Sequence, residues 1–160
     1  MTARPLSFDL NGRPVGAVVA PHRTLLDVLR EEFGATEVKE GCDEGVCGTC
    51  TVLLDGASVN ACTVLAVQIA GGSVTTVKGL AADGESHVLQ QRFLEHGASQ
   101  CGFCTPGMLL VAEEFVRHHP GAGREDIRRA LAGNLCRCTG YAKIIDAVAA
   151  YAAEPPAVSP

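Results

Sequence analysis

Apolar and polar positions change their period partway along the chain. Leu6, Phe8 and Leu10 alternate with Ser7 and Asp9, as a half-buried strand requires. Asn11-Gly12 follows, the strongest short hairpin signal, and a return strand runs to about Ala20. Thr24 is placed to cap a helix carrying Leu25, Leu29 and Phe33 on one face, with Gly34 as its stop. After a Gly-rich stretch, residues 50–54 and 73–77 read as strands, the first turning at Asp55-Gly56. This is a small α+β unit of about 75 residues.

Residues 78–86, KGLAADGES, break the alternation and read as a linker. Beyond it the period is helical. Residues 87–96 form one helix with Leu89 and Phe93 inward. A second takes Thr105 as N-cap and Pro106 as its first helical residue, with Met108, Val111, Ala112 and Phe115 on one face. A third covers about 124–132 through Ile127, Ala130 and Leu131, and a fourth runs from Thr139 through Tyr141, Ile144, Ile145 and Val148. Four helices with short connections predict a compact bundle. The expected organisation is α+β: one domain over 1–78, a helical domain over 79–155 and a loose tail at 156–160.

Composition narrows the choice of chemistry. The 160 residues are 47% hydrophobic, enough for packed cores. With no Trp, two Tyr, five Phe and a formal charge of −5, neither base stacking nor phosphate binding is favoured. No apolar run approaches the roughly 18 residues of a membrane span. The N-terminus has no signal-peptide core, so a cytoplasmic protein is expected. In that compartment thiols stay reduced, and eight cysteines point to metal rather than disulfides.

Those cysteines fall into two sets of four. Cys42, Cys47 and Cys50 stand in GCDEGVCGTC, with Cys62 downstream, which is the C-x4-C-x2-C…C spacing that holds a 2Fe–2S cluster in plant-type ferredoxins. Cys101 and Cys104 stand in QCGFCTPG, and Cys136 and Cys138 in GNLCRCTG. Four soft thiolates complete two tetrahedral irons bridged by sulfide. Each such centre adds about −2, so two take the net charge to about −9. Electron transfer is the reading that follows.

In the first loop, Gly41, Gly45 and Gly48 permit a tight turn, while Asp43 and Glu44 read as a solvated tip. The second set is expected to work through helix ends. Each pair precedes a helix, at Thr105 and Thr139, where free N–H groups favour anions. Arg137 either raises a cluster's potential as a nearby cation or makes an ordinary surface pair. His118 and His119 read as an ordinary helix end. A lone C-x2-C also suits zinc or a redox dithiol, so a zinc-stabilised interaction module and a free-standing ferredoxin stand as rival readings.

GCDEGVCGTCTV, QCGFCTPGM and GNLCRCTGY together resemble the iron–sulfur subunit of the molybdenum hydroxylases, the xanthine oxidase family, over about Leu6 to Ala150. The resemblance implies an N-terminal β-grasp ferredoxin domain followed by a four-helix-bundle domain, each with its own 2Fe–2S cluster. It implies that Cys101, Cys104, Cys136 and Cys138 hold the cluster nearer the molybdenum–pterin cofactor of a large subunit. Cys42, Cys47, Cys50 and Cys62 then face the FAD of a medium subunit, in a dimer of heterotrimers. Gln100 and Cys138 are implied to touch the pterin; a local loop hydrogen bond is the simpler role for Gln100. Lys78 departs from the Glu common there, with only local charge expected to change. No catalytic acid, base or nucleophile can be assigned, so the chain is expected to act as the electron-transfer part of an oxidoreductase.

Overall fold

The computed structural model describes residues 2–81 and 85–154. Strands β1 (Arg4–Leu10) and β2 (Arg13–Val19) pair antiparallel from Arg4↔Val19 to Leu10↔Arg13. Asn11 and Gly12 sit at φ 53° and 77°, the two left-handed positions that a type I′ turn demands. Helix α1 (Leu25–Glu31) starts where the Thr24 hydroxyl accepts the Asp27 N–H and the Asp27 carboxylate accepts the Thr24 N–H. It ends before Phe33, which instead meets Phe8 edge-on at 5.5 Å.

Strands β3 (Thr51–Leu54), β4 (Ala57–Asn60) and β5 (Ser73–Thr75) complete a sheet of order β2-β1-β5-β3-β4. β1 and β5 run parallel; the other neighbours are antiparallel. β4 was not expected, because Ala57-Ser58-Val59-Asn60 shows almost no apolar pattern. The Asp55-Gly56 turn feeds it back onto β3, and its outer edge is covered from the second half of the chain. One face of the sheet packs Leu6, Phe8, Val52 and Val74 against Leu25, Leu26, Val28 and Leu29 of α1.

Helices α2 (Val88–Glu95), α3 (Thr105–His118), α4 (Arg124–Ala130) and α5 (Ala142–Ala153) enclose a second core of Leu89, Phe93, Met108, Ile127, Ile144 and Val148. Two starts differ from expectation. Cys104, not Thr105, is the N-cap of α3. α5 begins at Ala142 rather than Thr139, because Gly140 and Tyr141 take left-handed φ of 64° and 66°. α4 ends at Ala130, and Leu131–Gly133 continue as a 3-10 turn. The tail expected at 156–160, with part of the linker, lies outside the described residues.

The linker begins pinned rather than loose. Fully buried Thr76 accepts the Asn11 amide at 3.0 Å and donates to Glu37 at 2.9 Å. Lys78 then pairs with Glu37 at 2.9 Å, so the unusual charge at position 78 has a counter-ion in the first half. Farther on, α3 lies against the edge of the sheet. Glu114 accepts the Ser58 N–H at 3.0 Å, and Arg117 donates to the Gly56 carbonyl at 2.9 Å. α3 therefore packs on β3 and β4 as well as on its neighbouring helices.

Candidate metal centres

The first loop leaves α1 and returns to the sheet at β3, so Cys42, Cys47 and Cys50 lie on one tight excursion. Cys62 reaches them from a 3-10 turn, Ala61–Thr63, that follows β4. Cys50 and Cys62 are buried, while Cys42 and Cys47 are half-buried. Asp43 and Glu44 are exposed at the tip, as expected of a solvated turn.

The sulfurs meet in pairs. Cys42 lies beside Cys47, and Cys50 beside Cys62, with Cys47 close enough to Cys50 to feel its charge. In the second set Cys101 and Cys138 are 3.5 Å apart, and Cys104 lies beside Cys136. Among the described residues, no three His, Cys, Asp or Glu side chains are arranged to hold a metal ion. Two facing pairs of thiols suit a two-iron cluster better, since each iron takes two protein sulfurs there. That donor set also disfavours structural zinc, which gathers four ligands round one point.

The thiols differ in proton affinity. The Glu44 N–H, 3.4 Å from the Cys42 sulfur, helps bring that thiol down to about 7. Burial pushes Cys50 and Cys104 up to about 12. The Phe103 backbone N–H lowers Cys101, whereas contact with Cys101 raises Cys138. Burial works against ionisation at Cys136, but the Thr139 hydroxyl, 3.0 Å away, the Thr139 and Cys138 backbone N–H groups and the Cys104 thiol together outweigh it and the thiol is lowered. Metal binding at either quartet must therefore displace protons from its inner thiols.

The expected pair of opposed helix ends is half present. Cys104 stands at the N-cap position of α3, though its sulfur makes no capping hydrogen bond, whereas Cys136 and Cys138 are separated from α5 by a left-handed turn. Local groups orient them instead. The Cys136 N–H donates to the Tyr141 hydroxyl at 2.9 Å, and that hydroxyl donates to the Asn134 carbonyl at 3.3 Å. Arg137 is exposed and forms no ion pair among the described residues. His118 and His119 place ring Nδ1 atoms 2.9 and 3.0 Å from the Glu114 and Phe115 carbonyls of the last turn, an ordinary helix end. Gln100 is exposed at the same end as the exposed pair Cys101 and Cys138.

Sequence reasoning did not single out Asn134, which is 4% exposed. Its amide donates to the Gly48 carbonyl at 2.8 Å and to the Thr51 hydroxyl at 3.3 Å, stitching the second motif to the first loop. Only its place inside GNLCRCTG hinted at this. Gly48 itself has φ 67°, and a Cβ on it would lie 2.5 Å from the Gly133 carbonyl.

Residues 8–74 match the 2Fe-2S iron-sulfur cluster binding domain, and residues 76–149 a second 2Fe-2S binding domain. The small FeS subunit of nicotinate dehydrogenase from Eubacterium barkeri is 50% identical over 149 residues, 93% of this chain and 94% of that protein. Among solved structures, quinoline 2-oxidoreductase from Pseudomonas putida 86 aligns with TM-score 0.90 and 45% identity over 95% of this chain and 97% of the matched chain. The aldehyde oxidoreductase of Desulfovibrio desulfuricans ATCC 27774 aligns with TM-score 0.89 and 42% identity over 96% of this chain but only 17% of its own. There the same fold is one part of a longer polypeptide.

Proposed function

This chain belongs to the small iron–sulfur subunits of the molybdenum hydroxylases, and we propose that it carries electrons between a molybdenum–pterin cofactor in a large subunit and FAD in a medium subunit. The resident groups are two 2Fe–2S clusters, which when bound accept and release single electrons. The sheet half is read as a β-grasp ferredoxin domain over 1–78, and the helical half as a four-helix bundle over 79–155. Cys42, Cys47, Cys50 and Cys62 would hold one cluster, and Cys101, Cys104, Cys136 and Cys138 the other.

The observation that carries this reading is the pairing of sulfurs within each quartet, one outer pair and one inner pair in both. In the helical quartet Cys101 and Cys138 face outward beside Gln100. That face is assigned to the pterin, with the Gln100 amide able both to donate to it and to accept from it. Cys42 and Cys47, the less buried pair of the first quartet, are assigned to the FAD side. Exposed Val46 and Phe103 rim the two sites and fit partner contacts. No helix among the described residues is long and apolar enough to cross a membrane. Eight unpaired cysteines suit a reducing cytoplasm, and a dimer of heterotrimers is the assembly proposed.

Spectroscopy and metal analysis of the complex test this together. About four irons per chain and two distinct paramagnetic signals on full reduction are expected. One signal, or a colourless protein holding zinc, would overturn the reading.

A further inference from the structure

One backbone hydrogen bond joins the two quartets. The Leu135 N–H donates to the Cys47 carbonyl at 2.8 Å. Cys47 belongs to the first quartet, and Leu135 is bonded directly to Cys136 of the second. From sulfur to sulfur the link is therefore continuous, through covalent bonds and this single hydrogen bond.

Residues 134–136 lie outside any regular element, so something else must hold that contact. The Asn134 side chain is buried against the first loop, where its amide bonds to Gly48 of that loop and to Thr51, the first residue of β3. A buried amide is costly unless it is bonded, so its presence argues for position rather than for packing alone. Helix α3 closes the junction from the other side at Gly107. A Cβ there would stand 2.5 Å from the Gly48 carbonyl and 3.0 Å from the Asn134 amide nitrogen. The Tyr141 hydroxyl ties the Asn134 carbonyl to the Cys136 N–H. Three successive residues are thus held from three directions, and Asn134 is the one that reaches across.

We propose that Asn134 is a positioning residue for electron exchange between the two centres: its amide holds the Leu135 N–H on the Cys47 carbonyl and so maintains the bonded link. This rests on the reading that both quartets carry clusters. In the exchange one cluster loses an electron and the other gains it, with no bond made or broken and no proton moved. A bonded link couples two redox centres better than a gap of the same length, so loosening this contact slows the exchange without altering either centre.

The test uses the full chain with both clusters loaded and three variants. Asn134→Ala removes the amide; Gly107→Ala displaces the same junction from the α3 side, should the first variant fold poorly. Glu114→Ala weakens the docking of the two halves at Ser58, away from the junction. Two readouts are taken: amide hydrogen exchange at Leu135, and the redistribution between the clusters of an electron supplied in a pulse by a small-molecule one-electron donor. Asn134→Ala is expected to keep both paramagnetic signals and both midpoint potentials while Leu135 exchanges faster. Redistribution should slow about tenfold or more, the order seen when a positioning contact slips. Glu114→Ala should redistribute at the parent rate. The proposal is overturned if Asn134→Ala carries both clusters and redistributes at the parent rate, or if Glu114→Ala slows it equally. A parent chain with fewer than two clusters would overturn the function proposed above, and this inference with it.

Discussion

The two cysteine sites solve one problem by different means. In the sheet half, three of the four thiols come from a single loop, and tight turns between α1 and β3 bring them together. In the helical half, two short pairs separated by the whole of α3 and α4 must be assembled by packing. The first site is therefore largely local, and the second depends on the core formed by Met108, Ile127, Ile144 and Val148. The contrast teaches that equal sets of four thiols need not be equally robust. The helical site should fail whenever its packing fails, whereas the loop site tolerates damage elsewhere.

The most severe way to break the comparison is to remove ligands. Cys136→Ser combined with Cys138→Ser is expected to lower iron from about four to about two per chain. The signal of the loop site should remain, as metal analysis and spectroscopy of the reduced protein can check. Loss of both signals would show that the loop site is not independent.

Next in size is Gly48→Ala, which strikes the place where the sites meet. The left-handed backbone and the close Gly133 carbonyl together make this cost about 2–4 kcal/mol. Thermal unfolding measures it, and both cluster signals should broaden. Tyr141→Phe sharpens the contrast from the other side. It removes the hydroxyl that accepts the Cys136 N–H, costing roughly 1 kcal/mol. Only the helical site's spectrum should change.

The smallest effect concerns neither site but the join between the halves. Burial raises the Glu37 carboxyl, yet the Lys78 ammonium, the Glu37 N–H and the Thr76 hydroxyl outweigh it and leave the group below its ordinary value. Its contribution to stability is present above the unfolded value of about 4.3. It is lost as the pH falls through the lower folded value. Glu37→Gln should therefore flatten the acid limb of a stability profile and leave the neutral plateau slightly lower. Because Lys78 is largely exposed, Lys78→Gln should cost at most about 1 kcal/mol.

Particular residues show how far the chain could be read beforehand. The hairpin at Asn11-Gly12, the Thr24 cap and the inward faces of α2 and α3 were legible, because each is encoded by neighbours within one or two turns. β4 was not, since it rests on long-range support such as pairing with β3 and cover from Glu114. Thr139 resembled an N-cap, but its hydroxyl turns to the Cys136 sulfur and to the Tyr141 N–H, and the helix waits until Ala142. Lys78 looked like a linker charge until Glu37 appeared beside it.

The chain alone pointed to two groups of four thiols, to a strand-rich first half and a helical second half, and to Leu25, Leu29, Leu89, Phe93 and Met108 as core residues. Those features follow from spacing and period, which act over short distances. Tertiary structure decided which sulfur meets which, that Asn134 joins the loop of the first quartet to the motif of the second, and that Leu135 bonds to Cys47. Such contacts link residues more than eighty positions apart. No local preference encodes them, because they exist only once α3 has packed against the sheet.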